Sequence, residues 1–199
     1  MPALALFDLD HTLLTGDSDV LWCEFLMTEG ILDRAAFEPR NQAMEAGYRA
    51  GTVTTEAFCG FYVGTLAGRT LAGWEPLRQR FLRDIIAPRI PPAARAQVAH
   101  HQSAGDCVVM TTATNRVITE LTAAHLGVEH LIATECEVDL HTWLAHRGQR
   151  LEDLQSVAYS DSLNDLALLS AATTAVAVDP DERLAAQAQA RGWTVLRWR

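Results

Sequence analysis

Residues 3–19 read ALALFDLDHTLLTGDSD, and this stretch decides the fold. Ala3–Phe7 is short and near-continuously apolar, the pattern of a strand covered on both faces. It stops at Asp8 and Asp10, two like charges one residue apart where a buried strand should end. A lone DxD serves equally well as a polar turn, so its meaning depends on what else the chain brings to that place.

Working outward, the pattern turns helical from Asp17 to about Ile86. Asp17 or Ser18 caps a helix carrying Val20, Leu21, Trp22, Phe25 and Leu26. Asp33, Thr54 or Thr55, and Thr70 cap three more. After Ile90-Pro91-Pro92, strands and helices alternate. Strands are expected at Cys107–Thr111, Leu131–Ala133, Ser156–Tyr159, Thr174–Val178 and Thr194–Leu196. Helices are expected from Asn115 to about Leu126, over Leu163–Ser170 and over Asp181–Arg191. Alternation of this kind implies right-handed βαβ units and a parallel sheet. The expected fold class is therefore α/β: a Rossmann-like open parallel sheet from residues 1–15 and 90–199, with an inserted helical cap over 16–89. Trp22, Phe25 and Leu26 read as cap core, and His100-His101 as a solvated helix face.

Composition narrows the function. The chain has 199 residues, 49% of them hydrophobic and 21% charged, with a net charge of −9. That is ordinary for a soluble globular protein. The acidic balance argues against nucleic acid or an anionic membrane as a partner. Cys23, Cys59, Cys107 and Cys136 form no CxxC pair, so reduced thiols are expected rather than a zinc site or disulfide framework. MPALALFDLD carries no basic region and is interrupted by Asp8, and no run reaches transmembrane length. A cytoplasmic location is expected. Oligomeric state is not legible.

Three polar clusters fall at expected strand ends: Asp8-Leu9-Asp10-His11-Thr12, Thr111-Thr112-Ala113-Thr114-Asn115, and Ser160-Asp161-Ser162-Leu163-Asn164-Asp165. Open α/β sheets bind ligands at that edge. Four carboxylates in one crevice repel unless a cation neutralises them, and hard oxygen donors completed by water suit Mg²⁺.

These clusters resemble, in order, the DxDx[TV], Ser/Thr and acidic DxxxD signatures of the haloacid dehalogenase superfamily. The helical insertion is similar to the C1-type cap of its phosphoserine-phosphatase-like branch. FDLDHTLLTGDSD and YSDSLNDLALL look closest to that branch's small bacterial phosphatases, some of them histidinol-phosphate phosphatases. The resemblance implies a phosphatase acting on a small phosphorylated metabolite. Asp8 would attack phosphorus, forming an aspartyl-phosphate. Asp10 would protonate the leaving alkoxide and then deprotonate water. The superfamily's dehalogenases lack an aspartate at that slot, and its transport ATPases carry threonine there. Mg²⁺ would be held by the Asp8 and Asp161 carboxylates and the Asp10 backbone carbonyl. Asp165, with Asn164 beside it, would hold Asp161 or a metal-bound water. Thr112 would bond a phosphoryl oxygen, helped by backbone N–H groups around Asp10 and Ala113. Asp17, Asp19, Glu24, Arg40, Asn41, Arg49 and Asn115 are candidates to read the remainder of the substrate. His11 sits in a slot the family varies.

One signature is missing. The family's lysine, which offsets charge at the nucleophile, has no counterpart, because all 16 basic residues other than histidine are arginine. Its expected place is also short, with Leu140-His141-Thr142-Trp143-Leu144 following Asp139 directly as a helix. Three readings stay open: a segment absent from this sequence, a true deletion with Arg147 or Arg150 substituting, or a non-catalytic protein that binds phosphorylated ligands. Losing that charge should cost on the order of 2.7–4 kcal/mol of transition-state stabilisation.

Overall fold

Leu4–Asp8 (β1) is apolar until its last residue because it runs through the middle of a sheet, buried along its whole length. A computed structural model describes residues 3–134 and 148–198. Cys107–Asn115 (β2), His130–Thr134 (β3), Ser156–Ser160 (β4), Thr174–Val178 (β5) and Thr194–Leu196 (β6) complete the described sheet. All pairings are parallel, in the order β3-β2-β1-β4-β5-β6. The strand order reverses at β1, between β2 and β4, the switch point where such sheets open a crevice. The register sets Asp8 beside Thr111.

Four helices intervene between β1 and the crossover to β2: Ser18–Thr28 (α1), Arg34–Arg49 (α2), Thr55–Val63 (α3) and Leu71–Phe81 (α4). Asp17, Asp33, Thr54 and Thr70 cap them, each side chain accepting a backbone N–H of the first turn. One π-helical turn, Leu82–Ile86, carries α4 toward the Pro91-Pro92 break, and Pro92–Ser103 (α5) crosses back. Arg116–His125 (α6), Leu166–Ala171 (α7) and Glu182–Arg191 (α8) are the remaining described α-helices. The predicted helix over Leu163–Ser170 instead starts as a tight 3₁₀ turn at Leu163–Asp165. There the Ser162 hydroxyl accepts the Asn164 N–H and competes with regular helix. Cys136, Arg147 and the Asp139-Leu140 junction lie outside the described residues, as does the helix expected after it.

Alternation along β1 sends Leu4 and Leu6 to one apolar cluster and Ala5 and Phe7 to another. Trp22, Phe25 and Leu26 are buried against Trp74 and Phe81 of the insertion, in a cluster that continues to Phe7 and Met110 of the sheet. The opposite face of α1 offers Val20 and Cys23 to a separate cluster with Phe58 and Tyr62. So α1 is covered on two faces and ties the insertion to the sheet. His101 corrects the expectation of a solvated pair: it is 7% exposed, while His100 faces solvent. Successive helical residues point about 100° apart, so neighbours need not share a face. Among the described residues, no helix is long and apolar enough to cross a membrane.

Candidate active site

Beyond Asp8 the chain turns sharply rather than continuing the strand. Leu9, Leu13 and Leu14 are fully buried and anchor the loop from below. Hydrogen bonds from Leu14 N to Leu9 O (2.9 Å) and from His11 N to Gly16 O (3.0 Å) close it. His11 takes a left-handed backbone, φ 59°, an uncommon conformation for a residue with a Cβ. Its imidazole Nε2 lies 3.1 Å from Arg49 Nη2.

This loop sets the two aspartates in different surroundings. Burial, then the charges of Asp165, Asp161 and Asp10, push the Asp8 carboxyl well above the usual range, and a Thr12 hydrogen bond opposes them. Asp10 is held by three donors. Ser18 N, in the first turn of α1, donates to Oδ1 (2.6 Å). The Thr114 and Thr112 hydroxyls donate to Oδ2 (2.8 and 3.2 Å). Thr112 therefore spends its hydroxyl on Asp10. Thr114, part of the second polar cluster but assigned no role from sequence, also lines the cavity.

The third cluster arrives from β4. Asp161 accepts from the Thr12 hydroxyl (3.3 Å), and its carbonyl accepts Asp181 N (2.9 Å). Asp165 accepts from the buried Ser160 hydroxyl (2.7 Å). Burial raises its carboxyl, and the Ser160 bond opposes the shift.

A cavity of about 310 Å³ joins these residues to the helical insertion. Its floor includes Asp8, Asp10, Ala113, Thr114, Asp161, Asn164 and Asp165. Its roof comes from Asp17, from Glu45, Tyr48 and Arg49 on one face of α2, and from Phe58. Tyr48 and Phe58 stack with centroids 4.0 Å apart, and Arg49 pairs with Glu45 at 2.9 Å. Burial and the charge of Asp10 push Asp17 up to about 8.

Several expected contacts do not reach this cavity. Arg40 extends over the Phe37 and Phe61 rings. Asn41 is buried, with Nδ2 donating to Val20 O at 3.5 Å. Asn115 caps α6 and donates to Asp19 at 3.4 Å, both of them buried and absent from the cavity lining. Arg150 pairs with Glu152 at 3.3 Å, both exposed, and does not line the cavity. Conversely, Glu45, Tyr48, Phe58, Asp179, Asp181 and Arg183 line it without having been predicted. The one legible signal was Asp179-Pro180-Asp181, a charged turn at a strand's carboxyl end.

Among the described residues, no three His, Cys, Asp or Glu side chains are set to enclose an ion by themselves. The donor set nonetheless suits a cation that keeps much of its water, because two carboxylates, Asp8 and Asp161, line the same cavity.

The sequence profile of the haloacid dehalogenase-like hydrolases matches residues 5–170. A histidinol-phosphatase of Neisseria meningitidis serogroup C (strain 8013) is 32% identical over 222 aligned positions that span all of both chains. Those positions outnumber the 199 residues, so at least 23 have no counterpart here. A phosphoserine phosphatase of Mycobacterium tuberculosis (strain ATCC 25618 / H37Rv) is 31% identical over 228 positions, covering the whole chain and 72% of that protein. A protein of unknown function from Bordetella pertussis Tohama I superposes with a TM-score of 0.90 at 37% identity, covering 98% of this chain and 99% of that one.

Proposed function

The chain belongs to the haloacid dehalogenase-like hydrolases, and on that premise we propose that it is a Mg²⁺-dependent phosphomonoesterase for a small amine-bearing metabolite. The observation that carries this is the split between neighbouring carboxylates. Asp8 is buried among three other carboxylates, a crowding that a bound cation would relieve so that Asp8 is ionised to attack, whereas Asp10 is gripped by Ser18 N and two threonine hydroxyls. Paired acids in divergent settings divide the labour of nucleophile and acid–base.

In this reading an Asp8 oxygen attacks phosphorus as the P–O bond to the leaving group breaks, and the phosphoryl group moves to Asp8. Asp10 gives its proton to the departing alkoxide. It then takes one from the water that attacks the aspartyl-phosphate, which regenerates Asp8 and releases phosphate. The Asp8 and Asp161 carboxylates and the Asp10 carbonyl would hold Mg²⁺, which when bound offsets charge on the nucleophile and the phosphoryl oxygens. Asp165, fixed by Ser160, would hold Asp161 or a metal-bound water. Residues 16–89 act as the cap and 1–15 with 90–199 as the core, in a cytoplasmic setting.

Asp17 and Glu45 face the substrate's amine, and the stacked Tyr48 and Phe58 flank it. L-histidinol phosphate and phosphoserine, the substrate types named for two relatives, both carry an amine near the phosphate. The test is a kcat/KM ranking of phosphorylated metabolites, preceded by p-nitrophenyl phosphate hydrolysis with and without EDTA. Hydrolysis abolished by EDTA and restored by Mg²⁺ is expected, with amine-bearing phosphomonoesters ranked above simple alkyl phosphates. The complete lack of lysine favours one other reading, a phospho-ligand-binding protein without turnover. Absence of metal-dependent hydrolysis would select it.

A further inference from the structure

Carboxylates dominate the cavity: Asp8, Asp10, Asp17, Glu45, Asp161, Asp165, Asp179 and Asp181 all line it. An anionic substrate entering there needs positive charge beyond a cation at the floor. The guanidinium groups lining the cavity, among the described residues, are those of Arg49 and Arg183. Arg49 is engaged by Glu45 at 2.9 Å and by His11 at 3.1 Å. Arg183 makes no ion pair with a described residue.

The backbone that carries Arg183 is fixed, while its side chain is exposed. The residue sits in the first turn of α8, whose cap Asp181 accepts Leu184 N at 2.6 Å and bonds through its own N–H to Asp161 O at 2.9 Å. Asp181 thus ties the start of α8 to the backbone of Asp161. The arginine's tip lies against the insertion: a Cβ built on Gly51, just beyond α2, would stand 3.5 Å from Arg183 Nη1. That is ordinary contact distance, and Gly51 itself has φ +70°, a backbone that favours glycine at this junction.

We propose that Arg183, which lines the cavity, is a substrate-binding residue that pairs with the substrate's phosphate, supplying from α8 positive charge that no lysine in this chain can supply. This rests on the phosphate-binding half of the functional reading, not on turnover. A guanidinium fits a phosphate through two parallel N–H···O bonds, which an ammonium cannot reproduce.

The test is titration of the Mg²⁺-loaded protein with inorganic phosphate, alongside p-nitrophenyl phosphate kinetics at varied salt. Arg183→Ala should weaken phosphate binding about tenfold and lower kcat/KM more than kcat. Arg183→Lys should fall between alanine and wild type, and the salt dependence of kcat/KM should flatten in Arg183→Ala. Arg34→Ala, removing an exposed arginine paired with Glu38, controls for net charge. Phosphate affinity in a folded Arg183→Ala protein within twofold of wild type overturns the proposal, as does an equal loss in Arg34→Ala. Arginine-dependent phosphate binding without hydrolysis would sink the phosphatase reading and leave this inference standing.

Discussion

Phe7 and Asp8 are neighbours on β1, yet they serve two buried polar settings built on opposite logic. Behind the sheet, Phe7 stacks on Tyr159 with ring centroids 4.5 Å apart and meets the edge of His101 at 5.7 Å. His101 Nδ1 lies 2.9 Å from Asp106 Oδ2, and Nε2 lies 2.9 Å from the Tyr159 hydroxyl, which also accepts from Gln97 at 3.0 Å. Every member of that network has a partner, and the His101 bond, then the Ala3 N–H, hold Asp106 below the usual carboxylate range. On the other side of the same strand, Asp8 meets three more carboxylates and is driven upward. Satisfied polar clusters lock a core, whereas mismatched charge stores a demand that a ligand can meet. The first setting belongs to stability and the second to chemistry.

The largest effect should come from Asp8→Asn, which removes the proposed nucleophile and the crowded charge together. Turnover should drop at least ~10⁴-fold while the unfolding midpoint holds or rises. Steady-state assays paired with thermal melts check both, and full activity in the variant would refute the mechanism. His101→Ala sharpens the contrast from the other side. It should cost about 2–3 kcal/mol of stability through two lost hydrogen bonds and a cavity, with kcat nearly unchanged. Urea unfolding measures the first quantity, and a collapse of turnover in the still-folded variant would break the division between the two regions.

The smallest expected effect concerns Asp17 and carries a pH signature. Its folded carboxyl is pushed up to about 8 by burial first and the Asp10 charge second, against about 3.9 in an unfolded chain. Between those values the folded protein keeps a proton that the unfolded chain has released. Wild-type stability therefore falls from this site as pH rises through the window and levels off above it. Asp17→Asn can still cap α1 and escapes that loss. In EDTA the variant should be the more stable by on the order of 2 kcal/mol near pH 8, with the gap closing toward pH 4. Denaturant midpoints at the two ends of the range measure it, and a gap independent of pH would contradict the stated environment of Asp17.

Much of the scaffold could be read residue by residue. Asp17, Asp33, Thr54, Thr70 and Asn115 cap the helices they were expected to begin. The three polar clusters lie at the ends of β1, β2 and β4, which are adjacent in the sheet. These signals act within about four residues, the range of a cap or a strand period. The cavity wall obeys no such range. Glu45 and Tyr48 belong to no motif, and it is the meeting of α2 with the strand ends that sets them at the cavity. Arg40 and Asn41 belong to the same helix but face its packing partners instead. His101 looked like its exposed neighbour until Tyr159 and Asp106, 58 and 5 residues away, supplied its partners.

By itself, then, the sequence determined the α/β class, the helical insertion after the first strand and the aspartates at the strand ends, because each is written in local periodicity, capping chemistry and short motifs. Tertiary structure alone decided that Asp10 is held by Ser18, Thr112 and Thr114 while Asp8 is crowded by Asp161 and Asp165. It also decided that Arg183, rather than Arg150, reaches the cavity. Burial, Coulomb repulsion and hydrogen bonding depend on distances across the fold, and separations along the chain do not encode them.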